Sequence, residues 1–125
     1  MDEKLKRIVV VDDDITNLNI ARNALVQKYD IFTIPSGEKL FQILQRIVPD
    51  LILLDLEMPN MNGYEVLSTL KGNPATAGIP VIFVSATVDP ERRKKGLDLG
   101  AADYITKPFN QQDLLECIES NLVRE

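Results

Sequence analysis

Short apolar runs alternate along the chain with longer segments in which apolar residues recur every three or four positions. The runs are typical of strands buried on both faces of a sheet, and the longer segments are typical of amphipathic helices. Strands are predicted at residues 7–11, 30–34, 51–55, 79–84 and 102–106. Helices are predicted at residues 15–28, 36–48, 63–71, 90–99 and 110–122. This alternation predicts an α/β fold, with a parallel sheet covered by helices on both faces.

Turn and capping residues mark the ends of these elements. Asp14 and Asn110 are expected to cap the first and last helices, because a short polar side chain can accept hydrogen bonds from free N–H groups there. Pro49 ends the second helix, and the Gly-Asn-Pro of residues 72–74 ends the third. The fourth helix has few apolar positions and contains Gly96, which predicts a helix of low stability.

The pattern covers the whole chain without a linker, a repeat or a low-complexity segment. With 125 residues the chain is long enough to bury a core. We therefore expect one domain over residues 1–125. This domain is either a complete protein or one part of a longer one.

Composition excludes several classes of function. The net charge of -5 argues against binding nucleic acid by bulk charge. No apolar run approaches the 18 or so residues of a transmembrane helix, and the N-terminus lacks a signal peptide. The single cysteine, Cys117, cannot form an internal disulfide, so a cytoplasmic location is expected. Because the chain contains no His, it has no Ser–His or Cys–His nucleophile pair and no His-ligated zinc.

The apolar run of residues 51–54 leads directly into Asp55. A strand buried on both faces does not hold a carboxylate in its middle, so Asp55 is expected at its carboxyl end, where the chain leaves the core. Open parallel sheets bind ligands outside the carboxyl ends of their strands. Asp55 is therefore a candidate reactive group, although an acid that only caps a turn fits this stretch equally well.

Polar residues also follow three other predicted strands: Asp12 and Asp13 follow the first, Ser85 the fourth and Lys107 the fifth. The three acids and one Lys carry a net charge of about −2, and like charges about 4 Å apart repel by about 4 kcal/mol at a dielectric of about 20. Such a cluster favours Mg²⁺ or Mn²⁺. A carboxylate beside a metal, a Lys and a hydroxyl can accept a phosphoryl group.

The chain resembles the receiver domain of two-component response regulators over residues 6–122. The motifs that carry the resemblance are residues 9–13, 54–59 with 61–63, 84–86, and 104–109. The resemblance implies a three-layer, flavodoxin-like (βα)5 fold with a parallel five-stranded sheet in the order 2-1-3-4-5.

The same resemblance implies a role for each site residue. Asp55 is expected to be the phosphoacceptor. Asp13 and Asp55 are expected to ligate Mg²⁺ directly, Glu57 through its backbone carbonyl, and Asp12 through water. Lys107 is expected to pair with the phosphoryl oxygens.

The resemblance also implies moving parts. Ser85 is expected to move toward the phosphate, and Tyr104 to follow it inward. The bond between Lys107 and Pro108 is expected to be cis. Thr87 and the Glu57 side chain are expected to modulate phosphoryl lifetime, in a direction that the sequence does not give.

These features predict a phosphorylation switch rather than an enzyme. The donor is expected to be a phosphohistidine on a sensor histidine kinase or a phosphotransfer protein. The output surface is expected to comprise the fourth helix with its basic residues 92–95, the fifth strand and the fifth helix. A downstream effector domain or protein would read this surface, and dimerisation on phosphorylation is left open. No contact of this domain with nucleic acid or membrane is expected.

The sequence also bears on two other classes of function. Residues 12–16 fit the Asp-x-Asp-x-Thr motif of haloacid-dehalogenase-like phosphatases, with Asp12 as nucleophile and Asp14 as acid/base. In that family the later acidic ligands follow the Ser/Thr and the Lys, whereas here Asp55 precedes both. A flavin carrier would require a Ser/Thr/Gly-rich loop where this chain has acids. A receiver that folds without being phosphorylated is disfavoured because every reactive residue is present.

Overall fold

The computed structural model describes residues 5–58, 61–86 and 89–122. Five parallel strands form one sheet in the order β2-β1-β3-β4-β5, which confirms the predicted order. The strands are β1 (Arg7–Val11), β2 (Asp30–Ile34), β3 (Leu51–Asp55), β4 (Val81–Ser85) and β5 (Asp103–Thr106). Two further strands of two residues each, Glu57–Met58 and Met61–Asn62, pair antiparallel outside this sheet. The sequence did not predict them.

Among the described residues, four helices connect the strands and a fifth follows β5. They are α1 (Ile15–Leu25), α2 (Gly37–Ile43), α3 (Gly63–Lys71), α4 (Pro90–Asp98) and α5 (Gln111–Asn121). The predicted ends of the first two helices at residues 28 and 48 were too late. After each helix the chain continues in tighter turns, in which Lys28 donates to the Leu25 carbonyl and Arg46 to the Ile43 carbonyl. Their apolar spacing extended beyond the regular helix.

All five helices begin at a residue whose side chain accepts a hydrogen bond from an N–H of the first turn. Asp14 caps α1 by accepting from the Thr16 N–H, and Asn110 caps α5 by accepting from the Asp113 N–H. Both caps were predicted. The caps of the three remaining helices are Ser36, Asn62 and Asp89.

The core lies on both faces of the sheet, because successive residues of each strand point in opposite directions. Val9, Val11, Ile52 and Leu54 pack on the face covered by α2 and α3. Their strand neighbours pack on the face covered by α1 and α5, where Leu18, Leu25, Leu114 and Ile118 are buried. The three-layer arrangement predicted from the sequence is confirmed.

Two apolar residues of α1 lie outside this core. Ile15 is 72% exposed and Ile20 is 49% exposed, although their apolar character suggested a buried face. The buried stripe of α1 runs through Leu18, Ala21 and Leu25, at a spacing of three and four residues. Ile20 projects from another side of the helix, whereas Ile15, three residues before Leu18, is exposed in the first turn.

Helix α4 buries little of its surface against the rest of the domain. Among its residues only Gly96 is buried. A Cβ atom at this position would lie 2.9 Å from Cδ2 of the fully buried Phe83, so the glycine lets α4 approach the sheet closely. The remaining positions face outward.

The edge of the sheet where the strands begin carries both ends of the described chain. Lys6, just before β1, and Leu122, just after α5, line the same cavity of about 340 Å³. Asp50 and Pro80, which precede β3 and β4, also line it. No helix in the described residues is both long enough and apolar enough to cross a membrane.

Candidate functional site

Three strands deliver charged side chains to one point at the carboxyl edge of the sheet. Asp12 follows β1, Asp55 ends β3, and Lys107 follows β5. The Lys107 Nζ lies 2.9 Å from Oδ2 of Asp12 and 3.4 Å from Oδ1 of Asp55. The predicted convergence of these residues at the sheet edge is therefore observed.

Asp55 is more deeply enclosed than a residue leaving the core would be. It does lie at the end of β3, but only 3% of it is exposed. β3 is the central strand of the sheet, and the ladder continues past Asp55, because the Leu56 N–H donates to the Val84 carbonyl at 3.0 Å. The Asp55 carboxylate therefore lies between β1 and β4 with its neighbours close on both sides.

This position changes the acidity of both partners. Burial and the neighbouring charge of Asp12 raise the pKa of Asp55 to about 6, against the opposing influence of Lys107 and of the Glu57 N–H. Burial also works to lower the pKa of Lys107, but the hydrogen bonds and charges of Asp12 and Asp55 outweigh it and raise that pKa above its ordinary value. The lysine is thus held in its cationic form between two acids.

The acidic cluster has the composition and spacing of a site for a hard divalent cation. Asp12, Asp13 and Asp55 each offer a carboxylate oxygen, and these oxygens all lie within 4.8 Å of one another. Asp13 is exposed while the other two are buried, so the cluster is open to solvent on one side. A single lysine against three carboxylates leaves excess negative charge, and the charge of Asp12 is, after burial, the second cause of the raised pKa of Asp55. The residues fit Mg²⁺ or Mn²⁺.

The hydroxyl and aromatic residues expected near the site occupy neighbouring positions. Ser85, the last residue of β4, is fully buried, and its carbonyl accepts from the Lys107 N–H at 2.7 Å. The bond between Lys107 and Pro108 is cis, as expected. Tyr104 is 6% exposed, so its side chain already lies inside. Thr87 lies outside the described residues.

Glu57 makes contacts that the sequence did not reveal. Its N–H donates to Oδ1 of Asp55 at 3.2 Å. Its carboxylate accepts from the Ala86 N–H at 3.1 Å and pairs with Arg92 of α4 at 2.7 Å. A separation of 35 residues between the ion-pair partners gives no local sequence signal, so only the fold could reveal the pair.

The acid at position 14 has a structural task. Asp14 is exposed, and its carboxylate accepts from the Thr16 N–H to cap α1. The phosphatase alternative needs this residue as an acid/base beside Asp12. The contacts of Asp14 therefore give that alternative no support.

A first prediction concerns the stability of the metal-free domain. Because burial raises the pKa of Asp55 from 3.8 to about 6, the folded state binds this proton more tightly than the unfolded state. This stabilisation is complete below about pH 4 and is lost as the pH rises through about 6. Asp55→Asn is therefore expected to raise the free energy of unfolding by about 1 to 3 kcal/mol at pH 7, and by much less at pH 4.

Urea denaturation in EDTA at both pH values measures this effect. Asp14→Asn is the matched control, since Asn is an equally favoured helix cap. An Asp55→Asn protein that is no more stable than wild type at pH 7 would contradict the prediction.

Comparison with known proteins gives a consistent result. The profile of the "Response regulator receiver domain" family matches residues 8–119. A "Probable cyclic di-GMP phosphodiesterase" of Vibrio cholerae is 44% identical over 103 residues, which is 82% of this chain and 23% of that protein. The "DNA-binding response regulator MtrA" of Mycobacterium tuberculosis is 35% identical over 125 residues, 99% of this chain and 54% of that protein.

Solved structures agree with the fold. The chemotaxis response regulator CheY4 of Vibrio cholerae superposes with a TM-score of 0.87, at 24% identity, over 94% of this chain and 98% of that one. The Mn²⁺-bound form of response regulator Rcp1 gives a TM-score of 0.77, at 26% identity, over 92% and 90% of the two chains.

The first curated relatives are longer than this chain, which spans from 23% to 51% of their length. The part that they share with this chain covers 82% to 99% of it. The chain belongs to the family of response regulator receiver domains of two-component phosphorelay signalling.

Proposed function

We propose that Asp55 is the residue that accepts the phosphoryl group in this receiver domain. The observation that carries the proposal is the position of its carboxylate, buried at the end of the central strand with a lysine ammonium 3.4 Å away. The haloacid-dehalogenase-like alternative would place the phosphoryl group on Asp12 instead. Asp12 is hydrogen-bonded to Lys107 at 2.9 Å and accepts from the Asp14 N–H, which suits it better to a supporting role.

The covalent steps balance with the Asp55 carboxylate, a phosphohistidine donor and water. A carboxylate oxygen of Asp55 attacks the phosphorus of a phosphohistidine, the P–N bond breaks, and the imidazole leaves. The product is an acyl phosphate on Asp55. Attack by water later breaks the bond from phosphorus to the Asp55 oxygen, giving inorganic phosphate and the original carboxylate. Residues 1–125 contain no His, so the phosphohistidine lies outside this domain, as on a histidine kinase or a phosphotransfer protein.

The surrounding residues assist this transfer. Lys107 already contacts Asp55, and its ammonium donors can move to the phosphoryl oxygens as negative charge develops there. A bound divalent cation would neutralise charge on the same oxygens. Asp13 and Asp55 would hold it directly, with the Glu57 carbonyl, and Asp12 would act through water. The existence of an Mn²⁺-bound form of the similar response regulator Rcp1 supports metal binding by this domain.

The exposed apolar surface beside the site suits a docking protein. A cavity of about 320 Å³ is lined by Lys107, Pro108 and Phe109 together with Asn17 and Ile20 of α1. Because Lys107 belongs both to this cavity and to the acidic cluster, a protein seated there can bring a phosphohistidine to Asp55. The exposed side chain of Ile15 on α1 offers further apolar contact area.

The proposal extends to the output. Residues 1–125 act as one phosphoacceptor domain, a switch that promotes its own phosphorylation and dephosphorylation. Ser85 moves toward the new phosphate, Tyr104 stays inward, and the surface of α4, β5 and α5 changes. That surface is read by an effector domain or protein, or by a second copy of the domain. The relay operates in the cytoplasm, in line with the absence of a disulfide.

Intact mass measurement tests the acceptor. Incubation with Mg²⁺ and acetyl phosphate is expected to add one phosphoryl group, and EDTA is expected to prevent the gain. Borohydride reduction of the acyl phosphate, followed by peptide mapping, is expected to mark Asp55. A mark on Asp12 would favour the phosphatase alternative. If neither acetyl phosphate nor beryllofluoride, a stable phosphoryl analogue, modified or bound the protein, the acceptor role would be refuted.

A further inference from the structure

The Glu57 side chain connects the acceptor to helix α4. Its backbone N–H touches Asp55, while its carboxylate touches both the Ala86 N–H and the Arg92 guanidinium. One residue thus contacts β3, the segment that follows β4, and the first turn of α4. Because Glu57 contacts both groups, the Ala86 N–H lies within the reach of one glutamate residue from the Asp55 carboxylate.

The Ala86 N–H is a donor that a phosphoryl group on Asp55 would need. The group brings oxygens with developing negative charge to the carboxyl edge, and fixed backbone N–H groups stabilise such charge well. Ala86 directly follows Ser85 at this edge. In the present structure the Oε1 of Glu57 already accepts from this N–H at 3.1 Å. An acceptor oxygen of the protein thus fills the place that a phosphoryl oxygen would take.

Arg92 keeps the Glu57 carboxylate in that place. Its Nη1 lies 2.7 Å from Oε2 of Glu57, and the Arg92 carbonyl accepts from the Tyr64 hydroxyl at 3.2 Å. These contacts hold the first turn of α4 against the loops of the site. The rest of the helix buries only Gly96 among its residues, so a few contacts at one end weigh heavily in its position.

We propose that Glu57 is a positioning residue that covers the Ala86 N–H in the unphosphorylated domain and must leave it when Asp55 is phosphorylated. When the Glu57 carboxylate moves away from the Ala86 N–H, its ion pair with Arg92 breaks and the first turn of α4 is released. Glu57 therefore transmits phosphorylation to the output surface and slows the reaction while it is in place. The inference rests on the proposed role of Asp55 as acceptor.

Removing Arg92 changes phosphorylation in opposite directions under this mechanism and under a purely electrostatic one. If Arg92 acted only as a positive charge near the site, its removal would weaken binding of the anionic phosphoryl group. If Arg92 holds the Glu57 carboxylate against the Ala86 N–H, removing Arg92 weakens that contact and makes phosphorylation more favourable. Both mechanisms predict that Glu57→Ala favours phosphorylation, so Arg92→Ala is the decisive variant.

The experiment measures the rate of phosphorylation by acetyl phosphate with Mg²⁺, and the dissociation constant of beryllofluoride, for wild type and four variants. Glu57→Ala is expected to improve both quantities about tenfold, the lower end of the value of one charge-assisted hydrogen bond. Arg92→Ala is expected to improve both about twofold, as befits a partly exposed ion pair. The double variant is expected to match Glu57→Ala alone, since both changes act on one contact.

Lys94→Ala is the matched control. Lys94 is an exposed cation of the same helix whose partner is Asp98, also on α4. It is expected to leave both quantities unchanged. Hydrogen exchange adds a structural readout: without any phosphoryl donor, the amides of α4 are expected to exchange faster in Glu57→Ala than in Lys94→Ala.

Weaker beryllofluoride binding or slower phosphorylation in Arg92→Ala would overturn the inference, as would additive effects in the double variant. In either case phosphorylation of the wild-type protein would leave the acceptor role standing. If wild type and all variants failed to take up a phosphoryl group, the acceptor role and the inference would both fall.

Discussion

Asp55→Asn is expected to abolish phosphorylation by acetyl phosphate while leaving the domain folded. An amide has the shape of the carboxylate but is not a nucleophile toward phosphorus, so the side chain at the end of β3 can no longer accept the group. Intact mass spectrometry after incubation with Mg²⁺ and acetyl phosphate measures the result. No peak with an added phosphoryl group should appear.

The control for this variant is Asp14→Asn, which changes a nearby acid of the same segment as Asp12 and Asp13. Its carboxylate faces the Thr16 N–H of α1, and Asn caps helices equally well, so wild-type phosphorylation is expected. If Asp55→Asn still gained a phosphoryl group in amounts close to wild type, another residue would be the acceptor. Peptide mapping would then identify it.

Lys107→Ala is expected to slow phosphorylation of Asp55 by about 100-fold or more, the usual cost of removing a fixed donor from developing negative charge. The ammonium group lies between Asp12 and Asp55, at 2.9 and 3.4 Å from their oxygens. No other cation contacts these two carboxylates within the described part of the chain. The rate of mass gain at saturating Mg²⁺ provides the measurement.

Two comparisons sharpen this test. Lys39→Ala removes an exposed lysine of α2 and is expected to phosphorylate as wild type does. Lys107→Arg keeps the charge but presents a planar, larger head group, so it is expected to fall between wild type and Lys107→Ala. A Lys107→Ala protein that reacts within threefold of wild type would show that the lysine is only structural.

The fold could be predicted from the sequence because each element carries its own pattern. Unbroken apolar runs marked the strands, and the Asp14 and Asn110 caps marked two helix starts. The alternation of the two patterns then favoured a parallel sheet. The errors arose where the apolar pattern extended beyond the element: apolar spacing continued into the turns after α1 and α2, and the apolar Ile20 lies off the buried stripe of α1.

The site could be predicted only in part, for a physical reason. Strand ends in a parallel sheet meet at one edge, so the convergence of Asp12, Asp55 and Lys107 followed from their positions alone. The depth at which Asp55 is buried did not follow, because it depends on β3 being central and on the ladder that continues beyond it. The contact of Glu57 with Arg92 depends on where α4 lies in space, and no spacing in the sequence records that.

The strand-start edge of the sheet, where Lys6 and Leu122 line one cavity, has a consequence for how such a domain combines with others. Both points at which another module could be fused lie across the whole sheet from Asp55. A fusion partner can therefore be exchanged without its linker approaching the reacting groups. Modular reuse of this kind agrees with relatives as different as a probable phosphodiesterase and a DNA-binding regulator. In such fusions the linker only keeps the two domains close together. A change at Asp55 must then reach the second domain through contact between the surfaces of the two domains.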